Sequence, residues 1–259
     1  MKYALVFKGI SYAISDYDIK RTGKEYTIDF DDSIKSFEDN IIKPLTSRGD
    51  EVDTFFNTNT SDKLDSYINR MNPKNINLYK YNSQPTDWRY INKIILEGMF
   101  LVKQYQEFSK IEYDYVIVTR FDIYIYDSIL TMINAYLPKN GVSVVTPNND
   151  CFFMFNGNLL DKMISIFTDM YNRGAVSHSF TELTHNSGIE THAFYSYCGA
   201  STKESMKTPF YRINRYMFTP KDHYWFHHTI EEAYDPNSKH YVFQIKPNTE
   251  YTSGIILVR

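Results

Sequence analysis

Between Tyr113 and Ile125 the chain reads YDYVIVTRFDIYI. Val116, Ile117 and Val118 follow one another without a polar residue at alternate positions, the pattern of a strand buried on both faces. Such a strand belongs in the interior of a sheet with helices packed on each side, so this stretch alone points to an α/β layer architecture. Arg120 and Asp122 then break the run. Two residues apart on an extended chain, they project to one side. A charge at the end of a central strand costs solvation unless something there uses it.

The flanking pattern agrees with that architecture. Residues 3–7 form a short apolar run ending in Lys8-Gly9, a first strand delivering a turn at its carboxyl end, where open α/β sheets bind ligands. Ile34, Phe37, Ile41, Ile42 and Leu45 fall at helical spacing over residues 31–45, with Asp29, Asp31 and Asp32 at the start and Arg48-Gly49 at the end. A strand over 51–58, a helix over 62–71 and a strand over 76–81 complete a βαβαβ order. The longest helical pattern, 88–111, carries Ile91, Ile94, Ile95, Met99, Leu101, Val102 and Tyr105 and leads into the 113–125 strand. Beyond it the sequence predicts a helix over 128–137, strands over 142–146 and 151–155, a helix over 159–172 and another over 189–197. Short strands at 241–245 and 255–258 follow. No repeat or composition break divides the chain, which reads as one domain over residues 1–259.

Totals narrow the function classes. A formal charge of -3 argues against a general nucleic-acid binder, which concentrates a basic excess on one face. Cys151 and Cys198 are too few for a disulfide scaffold and lack paired zinc spacing. No segment reaches the ~18 apolar residues of a membrane span, and the amino-terminal run is too short for a signal peptide, so a cytoplasmic protein is expected. With 23 Tyr and 18 Phe beside 10 Gly, some rings must lie partly exposed. Amphipathic rings suit sugar faces, although codon bias in an AT-rich genome enriches the same residues.

Four places carry candidate chemistry. At Arg120-Phe121-Asp122, a carboxylate can ligate a divalent cation that bridges a diphosphate while the guanidinium neutralises phosphate oxygens. A structural Arg–Asp pair is the plainer alternative. Asp150 follows the turn-rich Pro147-Asn148-Asn149 and suits a general base on a loop after a strand, or an Asx turn. Glu190, in THNSGIETH with His185 and His192, stands at the start of the helix predicted over 189–197, where it can serve an acceptor or simply cap. His223, in DHYWFHH with His227 and His228, is a candidate late metal ligand; the glutamate of a zinc-protease motif is missing.

The block YDYVIVTRFD resembles the "YD-x-V-I-x-x-R-x-D" strand of a group of GT-A glycosyltransferase-like proteins of bacteria, algae and large DNA viruses. Asn149 to Asn158, NDCFFMFNGN, is similar to that family's "x-D-x-F-x-x-G-x" segment, and Phe7-Lys8-Gly9-Ile10-Ser11 occupies the place of its first nucleotide-binding loop. The resemblance implies a GT-A-like nucleotide-binding fold, a central, mostly parallel, twisted sheet flanked by helices. It implies transfer of a sugar from a nucleotide-sugar, by preference a UDP-sugar, to a glycan or other hydroxyl acceptor. Residues 1–127 would form the donor half and 128–259 the acceptor half. Phe7, Lys8, Gly9, Ser11, Arg120 and Asp122 would contact the donor, Asp122 and His223 would hold Mn2+ or Mg2+, and Asp150 and Glu190 would be the catalytic carboxylates. Two departures stand out: Ile10 and Tyr12 replace the Gln and Arg of the family's Gly-Gln-x-Arg loop, and Arg120-Phe121-Asp122 replaces Asp-x-Asp. A GT-A-shaped carbohydrate-binding protein without catalysis is the alternative from another class. A nucleotidyltransferase would want a richer glycine loop than Lys8-Gly9.

Overall fold

Every side chain from Tyr3 to Lys8 is buried in strand β1 (Lys2–Lys8), as expected of a strand covered on both faces. The computed structural model describes residues 1–9, 13–14, 27–28, 31–61, 63–79, 88–121, 123–125, 128–135, 137, 141–144, 152–175, 180–193, 211–213, 234–235 and 240–241. After β1 come the short antiparallel pair β2 (Ala13–Ile14) and β3 (Thr27–Ile28). A helical segment follows, made of α1 (Asp31–Phe37), a π-helical turn (Glu38–Ile42) and α2 (Lys43–Ser47). Then come β4 (Glu51–Asn59), α3 (Leu64–Met71), β5 (Asn75–Tyr79), the long α4 (Trp88–Ser109), β6 (Tyr115–Arg120), β7 (Ile123–Ile125) and α5 (Ile129–Ala135). The chain continues through β8 (Gly141–Val144), β9 (Phe152–Asn156), a 3-10 turn (Gly157–Leu159), α6 (Leu160–Arg173), α7 (Phe180–Asn186) and β10 (Glu190–Ala193). Three short strands, β11 (Tyr211–Ile213), β12 (Tyr234–Asp235) and β13 (His240–Tyr241), close the described residues.

Seven strands form the central sheet in the order β10-β8-β9-β6-β1-β4-β5. The pairings β5–β4, β4–β1, β1–β6 and β8–β10 are parallel, while β9 runs antiparallel to both β6 and β8. One reversed strand in a sheet otherwise of one direction matches the mostly parallel α/β fold expected.

Strand alternation divides the core in two. Tyr3, Leu5, Phe7, Phe56, Ile117 and Met154 join Ile34, Phe37 and Leu45 of the first helical segment, Tyr67 of α3 and Met132 of α5 on one face. Ala4, Val6, Phe55, Val116, Val118, Phe153 and Phe155 join Ile95, Met99 and Val102 of α4 with Met163, Phe167 and Met170 of α6 on the other. Helix ends follow local rules: α3 stops at Asn72 (φ 44°) and α6 at Gly174 (φ 66°), both left-handed residues that close the last turn. Among the described residues no helix is long and apolar enough to cross a membrane.

Three features differ from the sequence expectations. The 113–125 stretch is two strands, because the chain leaves the sheet after Arg120 and β7 pairs antiparallel with β11 instead. Residues 189–193 are not helical: Glu190–Ala193 is an edge strand parallel to β8, and the helix lies upstream at Phe180–Asn186. The 31–45 helix is interrupted by a π turn, in which the Lys43 N–H reaches the Glu38 carbonyl. Pro44 removes the N–H that would have bonded the Asn40 carbonyl, so the ladder widens there. The strands expected at 241–245 and 255–258 fall almost wholly outside the described residues.

Candidate functional site at the carboxyl edge of the sheet

The strand order reverses at β1. From β1 the chain moves outward to β4 and β5 on one side, then returns to lay β6 on the other. A crevice opens at such a point outside the carboxyl ends of the strands, because the two connections leave in opposite directions.

The register puts two cations there. Lys8, the last residue of β1, stands opposite Arg120, the last residue of β6, and also opposite Asn57 of β4. Neighbouring backbones in a sheet are about 4.8 Å apart. Ala4 and Val6, like Val116 and Val118, face α4 and α6, and alternation carries Lys8 and Arg120 to that same face. Lys8 is only 3% exposed and Arg120 is half-buried. Two cations in one register repel one another to the extent that neighbouring groups do not offset them. The arrangement suits an anion with more than one charge.

Amides fix the frame around the pair. The Asn57 side chain, fully buried, donates through Nδ2 to the Ile94 carbonyl of α4 at 2.6 Å and accepts through Oδ1 from Asn77 Nδ2 at 2.8 Å. That bond ties the amino-terminal half of α4 to the sheet beside Lys8. Gly9 turns the chain away at once: its φ is +96°, a conformation strained for any side chain, and its N–H donates to the Asn57 carbonyl at 3.1 Å. Asn92 on α4 donates to the Ala175 carbonyl at 2.8 Å. Among the described residues, Asn92 Oδ1 and Thr119 Oγ1 are buried without a hydrogen-bond partner. Thr119 directly precedes Arg120.

Of the residues singled out in the sequence, Lys8, Gly9 and Arg120 meet at this edge. Phe7 does not: its ring lies on the opposite face, against Phe37 at 4.8 Å, Phe121 at 5.1 Å and Phe56 at 5.5 Å, and is core. Ser11, Asp122, Asp150 and His223 lie outside the described residues. Val144 and Phe152, the described residues on either side of Asp150, stand opposite residues toward the carboxyl end of the sheet: Val144 faces Phe153, and Phe152 faces Thr119. Glu190 is placed elsewhere. As the first residue of β10 it faces Gly141, the first of β8. Through Val142, Phe155 and Val116 this level traces to the beginning of β6. It is separated from Arg120 by most of that strand, about 17 Å at the usual rise. The structure does not bring Glu190 to the cationic pair.

Sequence reading missed Asn57 and Asn92. Asn57 had a signal, since FFNTN passes from aromatic to polar at the end of its strand just as VFKG does in β1. As for a metal, no group of three or more His, Cys, Asp or Glu among the described residues could hold one. The described part of the edge is cationic, whereas a hard divalent cation needs oxygen ligands. The residues present at the described edge do not by themselves fit a metal.

No protein-family model and no curated protein sequence matches the chain. Solved structures similar in trace include a glycosyltransferase involved in glycosylation of the major capsid of PBCV-1, with TM-score 0.41 and 9% identity over 76% of this chain and 83% of that one. A galactosyltransferase, LgtC, in complex with donor and acceptor sugar analogs gives 0.40 and 14% over 74% of this chain and 73% of that one. A mutant of Drosophila β1,4-galactosyltransferase 7 with manganese, UDP-Gal and xylobiose gives 0.39 and 12% over 83% and 72%.

Proposed function

We propose that the chain is a glycosyltransferase that takes a sugar from a nucleotide-sugar and passes it to a hydroxyl acceptor. The observation that carries this reading is the register of Lys8 beside Arg120 at the point where the strand order reverses. A nucleoside diphosphate has the charge that two adjacent cations call for, and the negative charge on a departing diphosphate grows as the glycosyl bond breaks. Cations already in place stabilise that charge without reorganisation. The motif resemblance over Tyr113 to Asp122 supports the same reading.

In this proposal Lys8 and Arg120 bind the donor diphosphate, with Gly9 letting the backbone approach. Asp122 supplies a carboxylate for Mn2+ or Mg2+, with His223 as a second ligand, and the cation would add Lewis-acid stabilisation of the leaving group. Asp150 is the acceptor-side carboxylate. Residues 1–127 carry the donor side and 128–259 the acceptor side, and a UDP-sugar is the first donor to try. Glu190 is left out because of its distance along the sheet.

A thermal-shift series with UDP-, GDP-, CMP- and dTDP-sugars, each with and without manganese, tests the reading. One nucleotide class at a hundredfold excess over Kd stabilises by about 2.7 kcal/mol, roughly 5–10 °C for a chain of this size. The shift is expected to disappear in Arg120→Ala and to lose its manganese dependence in Asp122→Asn. Silence from all four classes, with retained affinity for glycans, would instead make the chain a non-catalytic carbohydrate-binding protein.

A further inference from the structure

Strand β7 has a polar support that the fold alone does not require. The N–H of Ile125 donates to Ser36 Oγ at 2.9 Å, and the carbonyl of Ile125 accepts from Asn40 Nδ2 at 2.8 Å. Both bonds cross more than eighty residues of sequence. They satisfy both backbone groups of Ile125 from the helical segment, while the other edge of β7 pairs with β11. The Ser36 hydroxyl is used in both directions, since it also donates to the Ser33 carbonyl at 2.6 Å. Asn40 sits inside the π turn. Pro44 accounts for the widened ladder but not for an amide sent to a strand far along the chain. Isolated π turns recur at functional sites because they re-aim side chains in this way.

β7 begins two residues after Phe121. That ring is fully buried, 5.1 Å from both Phe7 and Phe56 and 6.5 Å from Tyr67. Ile123 and Ile125 are also fully buried. Phe121 is therefore one buried anchor and β7 a second. The first anchor is apolar and belongs to the core; the second is three residues long, too short to be stable without help. We infer that Ser36 and Asn40 are positioning residues of the donor site: by clamping Ile125 they fix β7, the strand that follows Arg120 and Phe121. The inference rests on the donor-site reading proposed above. Supporting groups that orient metal- and phosphate-binding residues typically change affinity when removed, with little loss of fold.

The test uses the full chain, with manganese and UDP as the probe in calorimetric titration and ligand-free melting measured in parallel. Asn40→Ala and Ser36→Ala are expected to weaken UDP–manganese binding about tenfold to a hundredfold. Ligand-free Tm is expected to fall by about 2–4 °C in Asn40→Ala, the effect of one lost hydrogen bond in a chain this size, and by about twice that in Ser36→Ala, which loses two. Asn40→Asp, which keeps the shape but turns an oxygen toward the Ile125 carbonyl, should weaken binding at least as much. Thr46→Ala, which removes side-chain bonds to Ile42 and Lys43 in the same helical segment without touching β7, should bind as the wild type does. Wild-type affinity in all three clamp variants, or an equal loss in Thr46→Ala, overturns the inference while leaving the donor site standing. If the wild-type protein binds none of the four nucleotide classes, the donor reading falls and the clamp with it.

Discussion

The two edges of the central sheet treat charge in opposite ways. At the amino edge cations and carboxylates alternate. The Met1 amine meets Asp50 Oδ1 at 2.8 Å, Arg48 bonds the same carboxylate and the Tyr3 hydroxyl, and Lys2 meets Glu51 at 3.0 Å. The Tyr113 hydroxyl donates to Asp53 at 2.8 Å, and Asp114 accepts from the Lys2 N–H at 2.7 Å. At the carboxyl edge, two cations share one register instead. A set of opposite charges that satisfy one another stabilises the fold and has little left for a ligand. Cations brought into one register by the backbone suit the anionic donor proposed for this edge. Stability and binding are thus expected to separate along the strand direction.

The largest effect should come from Gly157→Ala at the amino edge. The Gly157 N–H donates to the Asp114 carbonyl at 2.8 Å, and a Cβ there would fall on the Tyr113 carbonyl oxygen, a backbone atom that cannot move aside. A loss of about 4 kcal/mol or more is expected, read as a drop in Tm of roughly 10 °C or a loss of soluble protein. A variant that melts like the wild type would mean that the turn into α6 is looser than the structure shows.

Next comes Arg120→Ala, with a fall in donor affinity of about a hundredfold and a Tm within about 2 °C of wild type. Lys8→Met should behave alike, since an apolar side chain of similar length removes one of two neighbouring cations. If either variant instead melts far lower and still binds, Lys8 and Arg120 are structural, and the contrast between the edges collapses.

Asp50→Asn sharpens the amino side. Burial alone would raise the Asp50 carboxyl, but bonds from the Met1 amine and Arg48 outweigh it and hold it below the ordinary range. A depressed folded value contributes stability that is fully present above the unfolded value, about pH 4, and is lost as pH falls through the folded one. The variant should therefore be less stable than wild type by about 2 kcal/mol at pH 7. The two melting curves should converge on acidification below about pH 4. A gap that persists unchanged in acid would show that packing, not charge, sets the difference. Tyr113→Phe should have the smallest effect, about 1 kcal/mol for the lost bond to Asp53. Donor affinity should be untouched, and a change in it would link the edges.

Much of this was legible along the chain because its cause is local. Apolar runs such as Val116-Ile117-Val118 and the helical stripe from Ile91 to Tyr105 declare element type by period, and each appears in its expected place. Glu190 shows where that logic fails. Residues 189–197 carry no strong period, and Glu190–Ala193 becomes a strand because β8 offers it an edge to pair with, which no local pattern contains. Phe121 is a second case. Its neighbours read as one continuous strand, but burial of its ring among Phe7, Phe56 and Tyr67 draws the chain out of the sheet.

The sequence by itself determined the two-sided burial of the central strands, the alternation of the main helices and strands as far as α6, and the presence of Lys8 and Arg120 at strand ends. Those follow from hydrophobic period and turn chemistry, which act over a few residues. Only the tertiary structure decided that these two ends lie side by side, that β9 runs against its neighbours, and that Glu190 stands at the opposite edge. Each of these is a matter of register between segments far apart in sequence. Register is set by how whole faces pack against one another, a property that no single segment carries.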